Sequence, residues 1–297
     1  MRETGADFWP AIESAIESAT ASGFRIAETR PVTGGCIHRS FAVSGGSVRY
    51  FVKVNDAPHA DGFSAEADGL TALIAAGARA PQPVCHGRDE HHAWIVMEFL
   101  DLGGASDFAR LGTELAKLHS VHGAAYGWHR SNYIGATRQS NRETRDWLGF
   151  WRDERLVPQL DLAARNGLAN ALARVGDQLV AALPQLLGGH TPAPSLLHGD
   201  LWGGNAGFLK GGTPVMFDPA VYRGDRETDL AMTELFGGFP ERFYTAYREA
   251  APLEEGYRVR KTLYNLYHVL NHANLFGGGY ATQAEAMMRK LLAEIRR

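Results

Sequence analysis

Apolar and polar residues alternate over short stretches in the first hundred residues of the chain. Such alternation is typical of half-buried β-strands, and clusters of glycine and serine between the stretches indicate turns. The run Ser44-Gly45-Gly46 lies between two of these stretches and predicts a hairpin. The predicted strands cover residues 24–31, 37–43, 47–54, a stretch near 84, and 93–99.

Helical spacing of apolar residues dominates the chain after residue 100 and also occurs at two places before it. Apolar positions recur every three or four residues, which predicts amphipathic helices. The first twenty residues predict a short surface helix, and short apolar runs broken by glycines in 196–218 predict loops and short strands. The predicted helices cover residues 61–76, 108–119, 147–160, 168–187, a segment around 229, and 257–276.

Strands early in the chain and helices later indicate an α+β protein. The run Asp101-Leu102-Gly103-Gly104 has the composition of a linker. We therefore expect two lobes, a strand-rich N-terminal lobe at 1–100 and a helical C-terminal lobe at 101–297. A chain of 297 residues is long enough for both lobes.

Composition narrows the classes of partner and compartment. The net charge is −3 and there is no long run of Lys or Arg, so we expect no nucleic-acid partner. No stretch approaches 18 consecutive apolar residues, so we expect no membrane span. The only cysteines are Cys36 and Cys85, and the first residues lack the pattern of an export signal. These features favour the cytoplasm.

The strongest chemical signal is the run LHGDLWGGN at residues 197–205, which fits the pattern His-x-Asp-x4-Asn. In phosphoryl transfer, an aspartate at this position accepts the proton of the attacking hydroxyl, and the asparagine five residues later reaches a metal ion. Asp200 is therefore the candidate catalytic base, and Asn205 is a candidate ligand of Mg²⁺. The alternative is a glycine-rich turn whose polar side chains satisfy its own backbone.

Three further residues fit the same chemistry. Asp218 ends the apolar run PVMF and is a candidate Mg²⁺ ligand, although the motif is Asp-Pro-Ala and not the Asp-Phe-Gly of protein kinases. Lys53 lies within a hydrophobic strand, where its charge can hold the phosphates of ATP, and Glu66 on the following helix can pair with it. The structural alternatives are a strand-end aspartate, an edge-strand lysine and a solvated glutamate.

The predicted N-terminal lobe also offers backbone groups for a nucleotide. Gly34 and Gly35 form a turn between the first two strands, where they can approach a phosphate closely, although a plain hairpin turn is the alternative. Glu98, Phe99 and Leu100 end a strand at the lobe connection and are candidates to bind adenine. These elements follow one another in the order found in kinases, and the Walker pattern of P-loop enzymes is absent.

Taken together, these segments resemble the fructosamine kinase (ketosamine kinase) family, with a protein-kinase-like fold that has an antiparallel sheet in its N-terminal lobe. His38, Arg138 and Asp225 depart from residues that are frequent in the family. The resemblance runs from about residue 24 to about 280 and rests on the catalytic loop at 197–205, GGCI at 34–37, NYIG at 132–135, Gln139 with Asn141, FDPAVY at 217–222, RETDLAM at 226–232, LFGGFP at 235–240, LNH at 270–272 and FG at 276–277.

The resemblance implies ATP- and Mg²⁺-dependent phosphorylation of a sugar hydroxyl in ketoamines such as ribulosamines and fructosamines, either small or protein-bound. It implies that Trp202, Asn271 and His272 contact the acceptor and that Asp229 orders the catalytic loop. The family also has a cysteine that can link two subunits, which makes Cys36 a redox candidate in a monomer or a redox-linked homodimer.

Two alternatives stay open. One is an aminoglycoside or choline phosphotransferase on the same fold, which would share the catalytic residues and differ in the acceptor pocket. The other is a nucleotide-binding protein without transfer activity, which loss of Asp200 or Asn205 would favour; both residues are present. A zinc site at His268 and His272 is not expected, because no glutamate follows His268 in the manner of a metalloprotease.

Overall fold

The computed structural model describes residues 8–33 and 37–295. These residues form two compact units. The first unit comprises the described residues up to Ser106 together with Gly207–Asp218, and the second comprises Asp107–Ala206 together with the described residues from Pro219 onward. The helices and strands are α1 (Trp9–Thr20), β1 (Glu28–Val32), β2 (Arg39–Gly45), β3 (Val48–Asp56), α2 (Ala60–Ala75), β4 (Pro83–Arg88), β5 (His92–Glu98), α3 (Phe108–His119), β6 (Asn132–Ile134), β7 (Thr137–Gln139), α4 (Trp147–Phe150), α5 (Val157–Arg165), α6 (Ala169–Leu187), β8 (Ser195–Leu197), β9 (Ala206–Phe208), β10 (Pro214–Met216), β11 (Tyr222–Gly224), α7 (Glu227–Leu235), α8 (Glu241–Ala250), α9 (Tyr257–Phe276) and α10 (Gly279–Glu294).

A five-stranded sheet in the order β1-β2-β3-β5-β4 forms the first unit, and its neighbouring strands are antiparallel. The predicted hairpin joins β2 to β3, with Gly45 opposite Val48 and Gly46 at φ +62°. A positive φ of this size is adopted readily by glycine, which explains its place in the turn. β1 begins at Glu28, four residues after the predicted start of the first strand.

The helix α1 covers one face of this sheet. Ile12 and Ile16 are fully buried and belong to a core that includes Val52 and Val96 of the central strands. The sequence predicted a surface helix here, and the structure adds that one of its faces completes the core. Burying these apolar side chains supplies a stability of about 1.5–3 kcal/mol for each one.

The segment 207–218 belongs to the first unit, although it lies far from it in the sequence. Met216 donates its backbone N–H to the carbonyl of Arg79, and Gly103 donates to the carbonyl of Phe208. The predicted boundary between residues 100 and 101 stays a prediction, but the joining of this late segment to the first unit is a feature that local periodicity does not reveal.

Helices form most of the second unit and pack around an aromatic core that includes Trp147, Trp151 and Tyr264. The bounds of α3 and α9 are the predicted ones. The predicted helix at 147–160 is instead α4, a π-helical segment at Trp151–Leu156, and α5. None of the helices in the described residues combines the length and apolar character that a membrane crossing needs. The predicted α+β fold is confirmed, with an antiparallel sheet early and helices later.

Candidate active site

A buried ion-pair cluster lies at the centre of the first unit. Lys53 on β3 is only 6% exposed, because the strand alternation directs it to the face that α2 covers. Its Nζ donates to Oε1 of Glu66 at 2.7 Å, so the predicted pair is present. The same ammonium donates to Oδ1 of Asp218 at 2.5 Å, a contact that the sequence did not reveal.

Asp218 has an unusual backbone conformation. Its φ is +56°, in the left-handed region that residues other than glycine seldom adopt. Aspartate is among the side chains that tolerate this region best. The turn follows β10 directly and leaves the carboxylate 46% exposed while it still reaches Lys53. The carboxylate of Asp218 therefore contacts the ammonium of Lys53 and is still accessible to a ligand.

The protonation states in this cluster follow from its burial and its charges. Burial opposes the charge on Lys53, but the carboxylates of Asp218 and Glu66 outweigh it and raise the pKa of the ammonium above its usual value. Burial raises the pKa of Glu66, and the neighbouring Asp218 adds to that effect against the attraction of Lys53. Lys53 is thus a permanent buried cation, suited to hold phosphate oxygens.

The other nucleotide candidates of this unit stay predictions. Gly34, Gly35 and Cys36 lie outside the described residues. The side chain of Glu98 is paired with Arg79, and its backbone N–H donates to the carbonyl of Gln82 at 2.8 Å.

The two residues after Glu98 are only partly accessible. Phe99 lies under the guanidinium of Arg49 at 4.5 Å, and the carbonyl of Leu100 accepts from the N–H of Leu102. Part of the segment proposed for adenine is therefore already engaged within the protein.

The catalytic loop of the second unit begins directly after β8. Gly199 has φ +84°, and a Cβ added there would lie 2.1 Å from the carbonyl oxygen of Ala220. Both facts require glycine at this position. Ala220 in turn donates its N–H to the carbonyl of His198 at 2.9 Å, so the loop and the segment after Asp218 are bonded together.

Asp200 and Asn205 meet within this loop. The amide nitrogen of Asn205 donates to the backbone carbonyl of Asp200 at 2.8 Å and to its carboxylate Oδ2 at 3.1 Å. The N–H of Asp200 donates to Nδ1 of His198 at 3.2 Å, which ties the loop backbone to that side chain. The amide donor thus holds the carboxylate, while the amide oxygen of Asn205 remains as a ligand of the type that Mg²⁺ prefers.

Asp229 fixes the backbone of the catalytic loop through hydrogen bonds, as the resemblance implied. Its Oδ2 accepts from the N–H of His198 at 2.7 Å, its Oδ1 accepts from the N–H of Gly199 at 2.8 Å, and Nε2 of His119 lies 3.1 Å from Oδ2. The carboxyl is 1% exposed. Burial alone would raise its pKa, but these hydrogen bonds and the two imidazoles lower it. A buried, ionised carboxylate therefore fixes the backbone two residues before Asp200.

Arg155 is a buried cation that sequence reasoning missed. It is fully buried, and its guanidinium lies 4.0 Å above the ring of Tyr222 and 4.7 Å from that of Phe150. It donates to the carbonyl of Ser140 and to Oδ1 of Asn141, each at 2.7 Å. The π-helical segment Trp151–Leu156 carries this residue.

An amide network extends from Arg155 to the backbone beside the catalytic loop. Asn141 donates to Oδ1 of Asn132 at 2.9 Å, and Asn132 donates to the carbonyl of Val221 at 2.7 Å. Gln139 donates to the same Asn132 oxygen at 2.8 Å and to the carbonyl of Ala220 at 3.3 Å. The hairpin β6–β7 therefore positions the segment that bonds to His198.

Of the three predicted acceptor residues, the structure brings two into one row of rings. Trp202 is 37% exposed and lies 5.9 Å from Phe236, which lies 4.8 Å from His272. Nδ1 of His272 donates to the carbonyl of His268 at 2.8 Å, so its Nε2 is an acceptor when the ring is neutral. Asn271 points elsewhere: it is 2% exposed and donates to the carbonyl of Ile134.

The family model for fructosamine kinases matches residues 8–294. The chain belongs to the fructosamine kinase family. A probable ketoamine kinase of Synechocystis is 46% identical over 96% of this chain and 97% of its own. A chloroplastic protein-ribulosamine 3-kinase of Arabidopsis thaliana is 37% identical over 89% and 82%. The crystal structure of a putative fructosamine-3-kinase of Haemophilus somnus superposes with a TM-score of 0.89 at 28% identity, over 96% and 97%. The predicted protein-kinase-like fold is thereby confirmed.

Two of the departures from the fructosamine kinase pattern, His38 and Arg138, lie in different local environments. His38 accepts from the amide of Asn55 at 2.9 Å and packs on Phe63 at 4.8 Å, and burial, followed by the charge of Lys53, lowers its pKa to about 4. It therefore stands as a neutral ring beside the ion-pair cluster. Arg138 is exposed on β7.

Asp225, the third departure, belongs to a polar cluster with His190 and Glu227, whose candidate ligand atoms lie within 4.8 Å of one another. The cluster does not fit a metal site. Oδ2 of Asp225 accepts from Nε2 of His190 at 2.7 Å and from the hydroxyl of Tyr264 at 2.6 Å, while both oxygens of Glu227 accept from Arg260. These atoms are occupied by donors, so the cluster is structural.

Proposed function

We propose that this protein is an ATP-dependent ketoamine kinase that phosphorylates a sugar hydroxyl, with Asp200 as the base. The observation that carries the proposal is the catalytic loop, in which Asn205 and the Asp229 hydrogen bonds hold Asp200 on a backbone of fixed shape. Membership of the fructosamine kinase family supports the class of acceptor.

The proposed reaction is direct transfer of the γ-phosphoryl group. The oxygen of the sugar hydroxyl forms a bond to the γ-phosphorus, the bond from that phosphorus to the oxygen bridging to the β-phosphate breaks, and ADP leaves. Asp200 accepts the hydroxyl proton as the new bond forms. Lys53, held by Glu66, binds phosphate oxygens, and its buried charge is worth more there than in water.

Asp218 and Asn205 are the proposed ligands of Mg²⁺, and their donor atoms fit the ion. A carboxylate oxygen and an amide oxygen are the hard ligands that this cation takes, with waters and phosphate oxygens completing its shell. The half-exposed carboxylate of Asp218 is accessible to such an ion. When bound, Mg²⁺ neutralises charge on the phosphates. Lys53 holds the same carboxylate in place without the ion.

The proposed acceptor is a ribulosamine or a fructosamine, carried by a small amine or by a protein. Trp202 offers a flat apolar face to a sugar ring, and Nε2 of His272 offers a hydrogen-bond acceptor. An aminoglycoside is a polycation, and its pocket would need several carboxylates. In the catalytic loop and its hydrogen bonds, the carboxylates of Asp200 and Asp229 are already assigned to the base and to the loop backbone. The compartment and the oligomeric state stay predictions from the sequence.

The test compares kcat/KM for a ribulosamine, a fructosamine and kanamycin in one buffer with MgATP. We expect turnover of at least one ketoamine and little turnover of kanamycin. Asp200→Asn keeps the shape of the side chain but cannot accept the proton, so kcat should fall by about 10²–10⁴-fold. Asp153→Asn, which removes an exposed carboxylate paired with Arg152, is the matched control. A clear preference for kanamycin would refute the acceptor class, and full activity of Asp200→Asn would refute the base.

A further inference from the structure

The row of rings beside the catalytic loop continues past His272. Phe276 lies 5.5 Å from the imidazole and Tyr280 lies 5.2 Å from it on another side. We call Phe276 and Tyr280 the outer ring pair. The contacts thus run from Trp202 through Phe236 and His272 to rings that no part of the proposed sugar chemistry uses.

Phe276, the outer member of the pair, has an exposure that packing does not explain, whereas Tyr280 is half-buried and packs against the core. Phe276 is 58% exposed, which makes it the most exposed large apolar side chain among the described residues. Trp202, at the other end of the row, is 37% exposed. The half-buried rings of Phe236 and His272 connect these two exposed ends. A connected exposed apolar patch marks a binding site more often than isolated apolar groups do. The solvent-facing edge of this row is therefore a candidate ligand surface that is continuous with the proposed acceptor site.

Local backbone geometry builds this surface. Phe276 is the last residue of α9, one turn after His272, and Gly277 and Gly278 follow with φ of +65° and +61°. These left-handed glycines end α9 and start α10 at once, which brings Tyr280 back toward His272. Both rings are thus fixed at the point where two helices meet.

The C-terminus of α9 also affects which charged groups the surface favours. The last carbonyls of α9 give its C-terminus a partial negative charge, which favours cations and disfavours carboxylates nearby. Aromatic faces likewise attract cations. A surface of this kind therefore suits an amine that is protonated and carries an apolar or aromatic group, and it suits a free carboxylate poorly.

A ketoamine has two halves, the sugar and the amine with its substituent. The inference rests on the proposed function, in which the sugar half reacts at Asp200 and packs on Trp202. We propose that Phe276 and Tyr280 form the subsite for the amine half of the substrate, selecting ketoamines whose nitrogen carries an aromatic or apolar substituent over those carrying an α-carboxylate. The expected ligands are thus ketoamines formed from an amine without a carboxylate, such as benzylamine. Ketoamines formed from a free amino acid are expected to bind poorly.

The test uses two fructosamines with the same sugar, the benzylamine adduct and the glycine adduct. For the unmodified protein we expect kcat/KM to be about tenfold higher for the benzylamine adduct, carried mainly by a lower KM. In Phe276→Ala the ratio should fall toward one. Phe276→Leu keeps an apolar side chain but removes the ring face, and we expect an intermediate ratio. Val48→Ala trims an exposed apolar side chain at the start of β3 and should leave the ratio unchanged.

The outcomes separate the subsite from the reaction. If both adducts are phosphorylated and the ratio is the same in the unmodified protein and in Phe276→Ala, the subsite is refuted and the kinase assignment stands. A preference of the unmodified protein for the glycine adduct refutes the subsite as well. If neither fructosamine adduct is phosphorylated, the same pair is compared as ribulosamines, and the proposed function and the subsite fall together if those are not phosphorylated either. Circular dichroism and thermal melts of each variant establish that a changed ratio comes from a folded protein.

Discussion

Asp229→Asn is the perturbation for which the structure gives the clearest magnitude. The carboxylate accepts from the N–H groups of His198 and Gly199 and contacts His119, all within a site that is 1% exposed. An asparagine side chain has one acceptor oxygen and a donor NH₂ in place of the second oxygen. One of the two backbone N–H groups must therefore face a donor.

The cost follows from those contacts. Leaving a buried N–H without an acceptor costs about 1–3 kcal/mol, and a hydrogen bond to a neutral group is about 1 kcal/mol weaker than one to a charged group. We therefore expect Asp229→Asn to lower the free energy of unfolding by about 3 kcal/mol. We also expect kcat to fall, because the backbone leading to Asp200 loses one of its two fixed points.

Urea unfolding at pH 7, followed by circular dichroism, measures this loss. At an m-value of about 3 kcal/mol/M the midpoint should fall by about 1 M. Glu285→Gln is the matched control, because it makes the same acid-to-amide change in an exposed pair with Arg289 and should shift stability by at most about 0.5 kcal/mol. A loss in Asp229→Asn no larger than that of the control would refute the reasoning.

The effect also has a required pH dependence. The pKa of Asp229 is lowered in the folded protein, so the stabilisation is present above the unfolded-state value of about 3.9. It disappears as the pH falls through the lower folded-state pKa. The difference in stability between the two proteins should therefore shrink in acid, and a difference that grew toward low pH would contradict this account.

Three further predictions concern other parts of the protein. Asp218→Ala should abolish Mg²⁺-dependent ATP binding in calorimetry, because it removes a charged oxygen ligand; unchanged MgATP affinity would count against it. Burial opposes the charge of His190, but its hydrogen bond to Asp225 raises its pKa above 6.5, so its stabilisation is full below that value and is lost as the pH rises through the folded pKa. His190→Gln should therefore flatten the decline of unfolding free energy above neutral pH, and an unaltered decline would exclude this residue. Oxidised protein should run as a disulfide-linked dimer on non-reducing gels, and oxidised Cys36→Ala should run as a monomer. A dimer that persists in the variant would show that Cys36 does not form the link.

The elements predicted with the right bounds are those whose signal is local. α3 and α9 have apolar stripes that one face of a helix must bury, so their limits follow from the residues themselves. The pairing of Lys53 with Glu66 follows from a strand and a helix that are adjacent in the sequence. The contact of Lys53 with Asp218 joins residues 165 positions apart, and no local pattern encodes it.

Polar side chains show the other limit of sequence reasoning. Asn271 was expected to face the acceptor, and its amide instead donates to a buried carbonyl in β6. An asparagine has the same polarity in either place, and only the backbone around it decides which partner it finds. The burial of Arg155 was not predicted for a related reason, because its partners are carbonyl oxygens and aromatic rings and not a carboxylate.

The π-helical segment Trp151–Leu156 makes this part of the chain sensitive to its own length. A π turn contains one residue more than the α turn it replaces, so it is an insertion that the helix has accommodated. Deleting one residue there would remove the extra residue of the π turn and rotate one flank by about 100° relative to the other. Arg155 would leave the face that contacts Tyr222, although its neighbours in the sequence would be nearly unchanged. Conservative replacements within the segment should thus be tolerated more readily than the loss of any single residue, whichever residue is lost.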